Sequence, residues 1–134
     1  MSEERNGYAI NNSIIISDHN GLCSCSDYHS NAGLVCRILR ILRNGGTLSQ
    51  LGASGPTTYC LPPFVFTIGI PRNDCACAYE HEAIHQIQCA SGEWFRQTMI
   101  NSEIEAYQTQ LNCLLDRGSS CQCTRRETWA RYCN

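Results

Sequence analysis

The sequence predicts an α+β domain reinforced by disulfides, on three observations. Two stretches carry apolar residues at helical spacing, one short run alternates as a strand does, and eleven of the 134 residues are cysteine. A chain of this length suits one modest core, so residues 1–134 read as a single domain without repeat, linker or low-complexity tract. The hydrophobic fraction of 43% is that of a globular protein. A net charge of −2 excludes the strong positive field that nucleic acid or an anionic membrane would select.

The elements follow in order. SIIIS (13–17) is a β-branched run and reads as a strand. Residues 17–33, rich in Ser, Asp, Asn and Gly, read as loop. GLVCRILRILRNGG then sets Leu34, Val35, Ile38, Leu39, Ile41 and Leu42 at helical spacing. Gly45 and Gly46 supply a stop, and Arg37, Arg40 and Arg43 line a solvated face. Residues 47–63 read as a second loop, whereas FVFTIGI (64–70) reads as a strand that Pro71 ends. Asp74 is placed to cap a helix from about Cys75 to Ala90, broken by SGE (91–93). A last helix is expected from Trp94 or Asn101 to Asp116, stopped at Gly118 and followed by a cysteine-bearing tail.

Cysteine at this density belongs to oxidising compartments, where cross-links reinforce small cores. The odd count leaves at least one thiol free, metal-bound or paired between chains. Cys23/Cys25, Cys75/Cys77 and Cys121/Cys123 are spaced C-x-C, which seldom closes on itself, so each is expected to reach elsewhere. A Cys89–Cys113 bond would staple the last two helices together. The amino terminus shows neither half of a signal peptide, and no run approaches the ~18 apolar residues of a membrane span. Export without such a signal, or excision from a larger secreted protein, would reconcile that with the cysteines.

His81, Glu82 and His85 form H-E-x-x-H. On a helix, residues four apart lie one above the other, so two imidazoles can grip one Zn²⁺ while the glutamate between them reaches a metal-bound water. That arrangement serves Lewis-acid hydrolysis, with Glu82 as general base. A third protein ligand is needed downstream, where Glu103 and Glu105 are available. Glu103 falls at the edge of the buried stripe formed by Ile100, Ile104, Tyr107, Leu111 and Leu114, and is the better candidate. Glu105 points the other way. Tyr107, four residues after Glu103, can orient that ligand from behind or simply fill core.

A rival grouping joins Cys75 and Cys77 to the two histidines as a closed structural zinc site. Positions 77 and 85 lie ~12 Å apart along a helix at 1.5 Å per residue, too far for one tetrahedral ion. The alternative function is a non-catalytic binding domain, stabilised by a Cys/His zinc or by disulfides alone. His19 and His29, near Cys23 and Cys25, read as polar loop residues rather than a second site.

YEHEAIHQIQC followed by EIEAYQTQLNCL resembles the small zincin metallopeptidase domains of bacterial polymorphic toxins and type VI secretion effectors, over roughly residues 75 to 115. Those domains are gluzincin-like, with H-E-x-x-H followed by a glutamate on a second helix, often as E-x-x-A-Y. The resemblance implies a minimal zincin-like fold, with the HExxH helix and the Glu-bearing helix packed on a small sheet. It implies Zn²⁺ held by His81, His85 and Glu103, Glu82 activating a zinc-bound water, and Ala106 and Tyr107 completing the second motif. The interval from His85 to Glu103 is shorter than in large thermolysin-like enzymes, which keeps Glu105 as an alternative ligand. Also implied are a protein or peptide substrate laid along the strand at 64–70, a cognate immunity protein, and signal-independent secretion. Action would then be in an oxidising space such as the target-cell periplasm.

Overall fold

Ser24 opens the first helix. Its side chain accepts from the Asp27 N–H at 3.1 Å while the Asp27 carboxylate accepts from the Ser24 N–H at 2.9 Å, a reciprocal capping box. The resulting helix α1 spans Cys25–Arg43 in the computed structural model, which describes residues 23–47 and 55–120. The loop expected over 17–33 is thereby corrected for residues 25–33. Their Ser, Asp and Asn form the cap and the solvated face, while Tyr28 and Ala32 extend the buried stripe of Val35, Cys36, Leu39 and Leu42. Leu34 and Ile41 are 47% and 38% exposed, so that stripe is narrower than the apolar spacing suggested. The helix stops at the two glycines: Gly45 takes φ +86°, and the Gly46 N–H donates to the Ile41 carbonyl. The strand expected at 13–17, His19 and the tail from residue 121 lie outside the described residues.

Strands β1 (Thr57–Leu61) and β2 (Phe64–Ile68) form an antiparallel hairpin across a cis Pro62–Pro63 turn. This corrects the reading of 57–61 as loop. TTYCL is β-branched and aromatic, but its inward positions are a threonine and a cysteine, so no apolar alternation marks it. The register pairs Thr58 with Thr67 and Cys60 with Val65, setting these four side chains on the face turned towards the next helix. The other face is apolar, with Tyr59 and Phe66 stacked at 5.2 Å between centroids.

Helix α2 spans Ala78–Ser91. Both oxygens of Asp74 accept from its first N–H groups, Ala78 and Tyr79, each at 2.7 Å. The start is three residues later than expected because Cys77 adopts a left-handed conformation, φ 58°, and turns the chain before the helix begins. Gly92, φ 86°, ends α2. A single turn α3 (Glu93–Arg96) then leads to α4 (Met99–Ser120), whose first turn accepts a cap from Thr98: the Asn101 N–H donates to its hydroxyl at 3.1 Å.

Helix α4 packs against both α1 and α2, and its two halves do different work. Leu111 and Leu114 join Tyr28, Ala32, Val35, Cys36, Leu39 and Cys77 in a dry core against α1. Earlier in α4, the buried residues are Ser102, Ala106 and Gln110, facing α2. One helix thus ties an apolar core to a polar interior.

Three disulfides have both partners among the described residues: Cys23–Cys75, Cys60–Cys89 and Cys77–Cys113. The expected Cys89–Cys113 bond is not formed. Helices α2 and α4 run antiparallel, so Gln88 near the end of α2 meets Ser102 and Glu105 near the start of α4. Residue 113 lies about 12 Å further along α4 than residue 105, at 1.5 Å per residue, opposite the beginning of α2. There it meets Cys77, and Cys89 is left to bond Cys60 of β1.

Candidate metal centre

The buried face of α2 consists of His81, Glu82, His85, Gln88 and Cys89. The spacing 81, 82, 85, 88, 89 is that of an ordinary core stripe, yet four of the five side chains are polar. Burying polar groups without partners is costly, so each must be satisfied from a neighbouring element.

Each one is. His81 Nε2 and His85 Nε2 lie 3.0 and 2.7 Å from the same Glu103 oxygen. The three ligand-capable atoms all fall within 4.8 Å of one another, so His81, His85 and Glu103 form a group that can hold a metal ion. A tetrahedral site with bonds of about 2.0–2.1 Å has ligand–ligand edges of about 3.3 Å, close to these separations. Glu105 is directed elsewhere. Its carboxylate accepts from Gln88 Nε2 at 2.8 Å.

The far nitrogens of both rings are engaged too. His81 Nδ1 is 2.9 Å from Gln110 Oε1, and His85 Nδ1 is 2.8 Å from Gln88 Oε1. The orientation of each amide is settled by its other end. Gln110 Nε2 donates to the Ala76 carbonyl at 2.7 Å, and Gln88 Nε2 donates to the Ser102 carbonyl and to Glu105. With amide oxygens facing the rings, both Nδ1 atoms must carry the proton and donate. Both Nε2 atoms are thereby left as the lone-pair side, turned towards Glu103. That is the tautomer a metal ligand needs, and the residues present fit a divalent ion.

With both Nδ1 protons committed to the glutamines, an Nε2 atom donates to Glu103 only from a protonated ring. Burial opposes the charge on Glu103, but hydrogen bonds from His81 and His85 and attraction to those rings hold its carboxyl down at about 2. Burial likewise works to lower His85. The hydrogen bonds with Glu103 and Gln88, then the charges of Glu103 and Glu82, outweigh it and raise the pKa above 6.5.

Two aromatic rings wall the group. Tyr107 meets the His81 ring edge-on at 4.4 Å, and Trp94 of α3 meets His85 edge-on at 5.5 Å. Tyr107 touches a histidine rather than bonding Glu103: among the described residues its hydroxyl makes no hydrogen bond to that carboxylate. Burial, and then the carboxylates of Glu103 and Glu82, push the hydroxyl up to about 12.

Glu82 stands beside the group and is held separately. Its Oε1 accepts from the Thr58 hydroxyl at 2.6 Å, and its Oε2 lies 3.7 Å from His81 Nε2. Cys75 and Cys77 are bonded to Cys23 and Cys113, so the closed Cys/His zinc grouping has no thiolates to draw on. His29 sits on α1, away from loop geometry. Sequence reasoning missed Gln88, Gln110, Trp94 and Thr58. Helical arithmetic could have flagged the glutamines, since Gln110 is two turns beyond Glu103 and Gln88 one turn beyond His85. Nothing in the sequence ties Thr58 to Glu82.

Compared with known proteins, the chain matches no family model, no curated protein and no solved structure.

Proposed function

We propose that the protein is a zinc-dependent peptidase of zincin-like fold, secreted as a bacterial effector or toxin. One observation carries this reading: two imidazole Nε2 atoms and one Glu103 oxygen converge, while the Glu82 carboxylate stands alongside at 3.7 Å with its own anchor. A nitrogen-rich donor set suits zinc better than magnesium or calcium, which take oxygen ligands. When bound, the ion supplies Lewis-acid polarisation of a scissile carbonyl and acidifies a coordinated water.

The chain's own residues do the rest. His81, His85 and Glu103 hold the ion, and Gln110 and Gln88 keep the two rings in the required tautomer. Glu82 takes a proton from the attacking water and returns it to the leaving amine. The peptide substrate, the immunity protein and the secretory route rest on the resemblance over residues 75–115. The three disulfides among the described residues fit an oxidising extracellular or periplasmic space. No helix among the described residues is long and apolar enough to cross a membrane.

The test is Glu82→Gln. The variant should keep one zinc per chain and lose hydrolysis of denatured casein by about 10²–10⁴-fold, the usual worth of a general base. Undiminished hydrolysis would remove Glu82 from the chemistry. A wild-type protein that binds zinc but cleaves nothing, with toxicity equal in the variant, would be a binding domain.

A further inference from the structure

The carboxylate of Glu82 ends a chain of three short contacts that begins on its own helix. Gln86 Nε2 lies 2.8 Å from Thr67 Oγ1, Thr67 Oγ1 lies 2.6 Å from Thr58 Oγ1, and Thr58 Oγ1 lies 2.6 Å from Glu82 Oε1. Gln86 and Glu82 are one turn apart on α2, and Thr58 and Thr67 are a directly opposed pair across the hairpin. The circuit therefore leaves α2, crosses both strands and returns to α2.

The direction of every bond in it is determined. An ionised carboxylate only accepts, so the proton at Glu82 is that of Thr58. Thr58 has no second proton, so Thr67 donates to Thr58. The proton of Thr67 is then also spent, so the amide of Gln86 donates to Thr67. A longer contact of 3.5 Å from Thr58 Oγ1 to the Glu82 carbonyl is too long to compete with the one at 2.6 Å. Both Thr58 and Glu82 are buried, which strengthens a bond to charge and raises the cost of losing it.

From this we infer that Thr58 is a positioning residue for the general base and decides which of its two oxygens reacts. The inference rests on the hydrolase reading above. The Thr58 bond fixes the rotation of the carboxylate and makes Oε1 the less basic oxygen, so the better placed to take a proton from water is Oε2, the one that faces His81 at 3.7 Å. Thr67 and Gln86 make the Thr58 hydroxyl a committed donor, because they fill its acceptor side. The Cys60–Cys89 disulfide bonds the hairpin to α2 two residues beyond Thr58 and keeps the circuit closed.

The experiment compares Thr58→Val, which keeps the shape and removes the hydroxyl, with Thr58→Ser, which restores it, in zinc-loaded, fully oxidised protein. With denatured casein as probe, Thr58→Val should lower kcat about 10–100-fold, as sub-ångström misplacement of a reacting group does, with KM within about twofold. Zinc stoichiometry should not change, and Thr58→Ser should regain most of kcat. A second readout needs no activity: the melting temperature of metal-free protein. Thr58→Val should lower it by several degrees beside Glu82, and by less than half as much in a Glu82→Leu background, where no carboxylate needs the donor. Full kcat in Thr58→Val beside an active wild type would overturn this inference and leave the hydrolase reading standing. Equal melting losses in both backgrounds would likewise overturn it. An inert, zinc-free wild type would remove both.

Discussion

The two glutamines behind the histidines show how a side chain acts at one remove. Gln110 and Gln88 never approach the metal position, yet their amide oxygens decide which ring nitrogens face it. Replacing either by leucine should weaken zinc binding about 10–100-fold, measured by competition with a chromophoric chelator, and leave helix content unchanged. The pH dependence of the metal-free protein follows from the pairing of Glu103 with the rings. The lowered pKa of Glu103 contributes stability above its ordinary 4.5 that is lost as pH falls towards about 2. The raised pKa of His85 contributes stability that is complete below 6.5 and is lost as pH rises through the higher folded value. Metal-free protein should therefore melt highest between pH 4.5 and 6.5. Added zinc should reverse the alkaline decline, since it takes the nitrogens the proton vacates. At this scale His81, Glu82, His85 and Glu103 were legible because H-E-x-x-H and a helical wheel are local patterns. The hydroxyl and amide partners were not, because they are chosen by tertiary contact and have no sequence spacing of their own.

Among the elements, α4 carries the greatest burden, with Glu103 near one end and Leu114 in the core towards the other. Leu114→Ala should cost about 2–5 kcal/mol by opening a cavity between α1 and α4, read from urea unfolding. Cys77–Cys113 pins α4 to the start of α2 across a separation of 36 residues. Replacing both cysteines with serine should cost about 2–5 kcal/mol and also loosen zinc binding, because Glu103 is carried on the released helix. The matching change at Cys23 and Cys75, which ties the chain before α1 to the chain before α2, should reduce stability with little change in zinc affinity. Periodicity located the second half of α1 and the greater part of α2 and α4. It missed the first turns of α1, where Tyr28 is a lone large apolar residue among Ser, Asp and Asn, and all of β1, whose inward positions are a threonine and a cysteine, so burial left no periodic apolar trace.

At the scale of the whole molecule, the three disulfides whose partners are both among the described residues radiate from one segment. Cys75, Cys77 and Cys89, which frame the H-E-x-x-H motif, bond respectively to the chain before α1, to α4 and to β1. Cysteine count alone indicated an oxidising compartment, but the pairing depended on the antiparallel course of α2 and α4, which no composition reveals. Reduction with a phosphine should therefore release the motif helix from three neighbours at once. Zinc uptake and near-ultraviolet dichroism should be lost together, and should return together on reoxidation.

The frame around the histidines also sets a balance of charge. Because amides rather than carboxylates back both rings, the three-residue ligand set carries a single negative charge, on Glu103. A divalent ion held there would keep a net charge of plus one, offset by Glu82 alongside and, through Gln88, by Glu105 further out. A carboxylate behind each ring would have made the imidazoles more basic and the ion less electrophilic. With amides directly behind the rings, an ion bound there would be more electrophilic and would favour singly anionic groups, within a chain whose own net charge is −2.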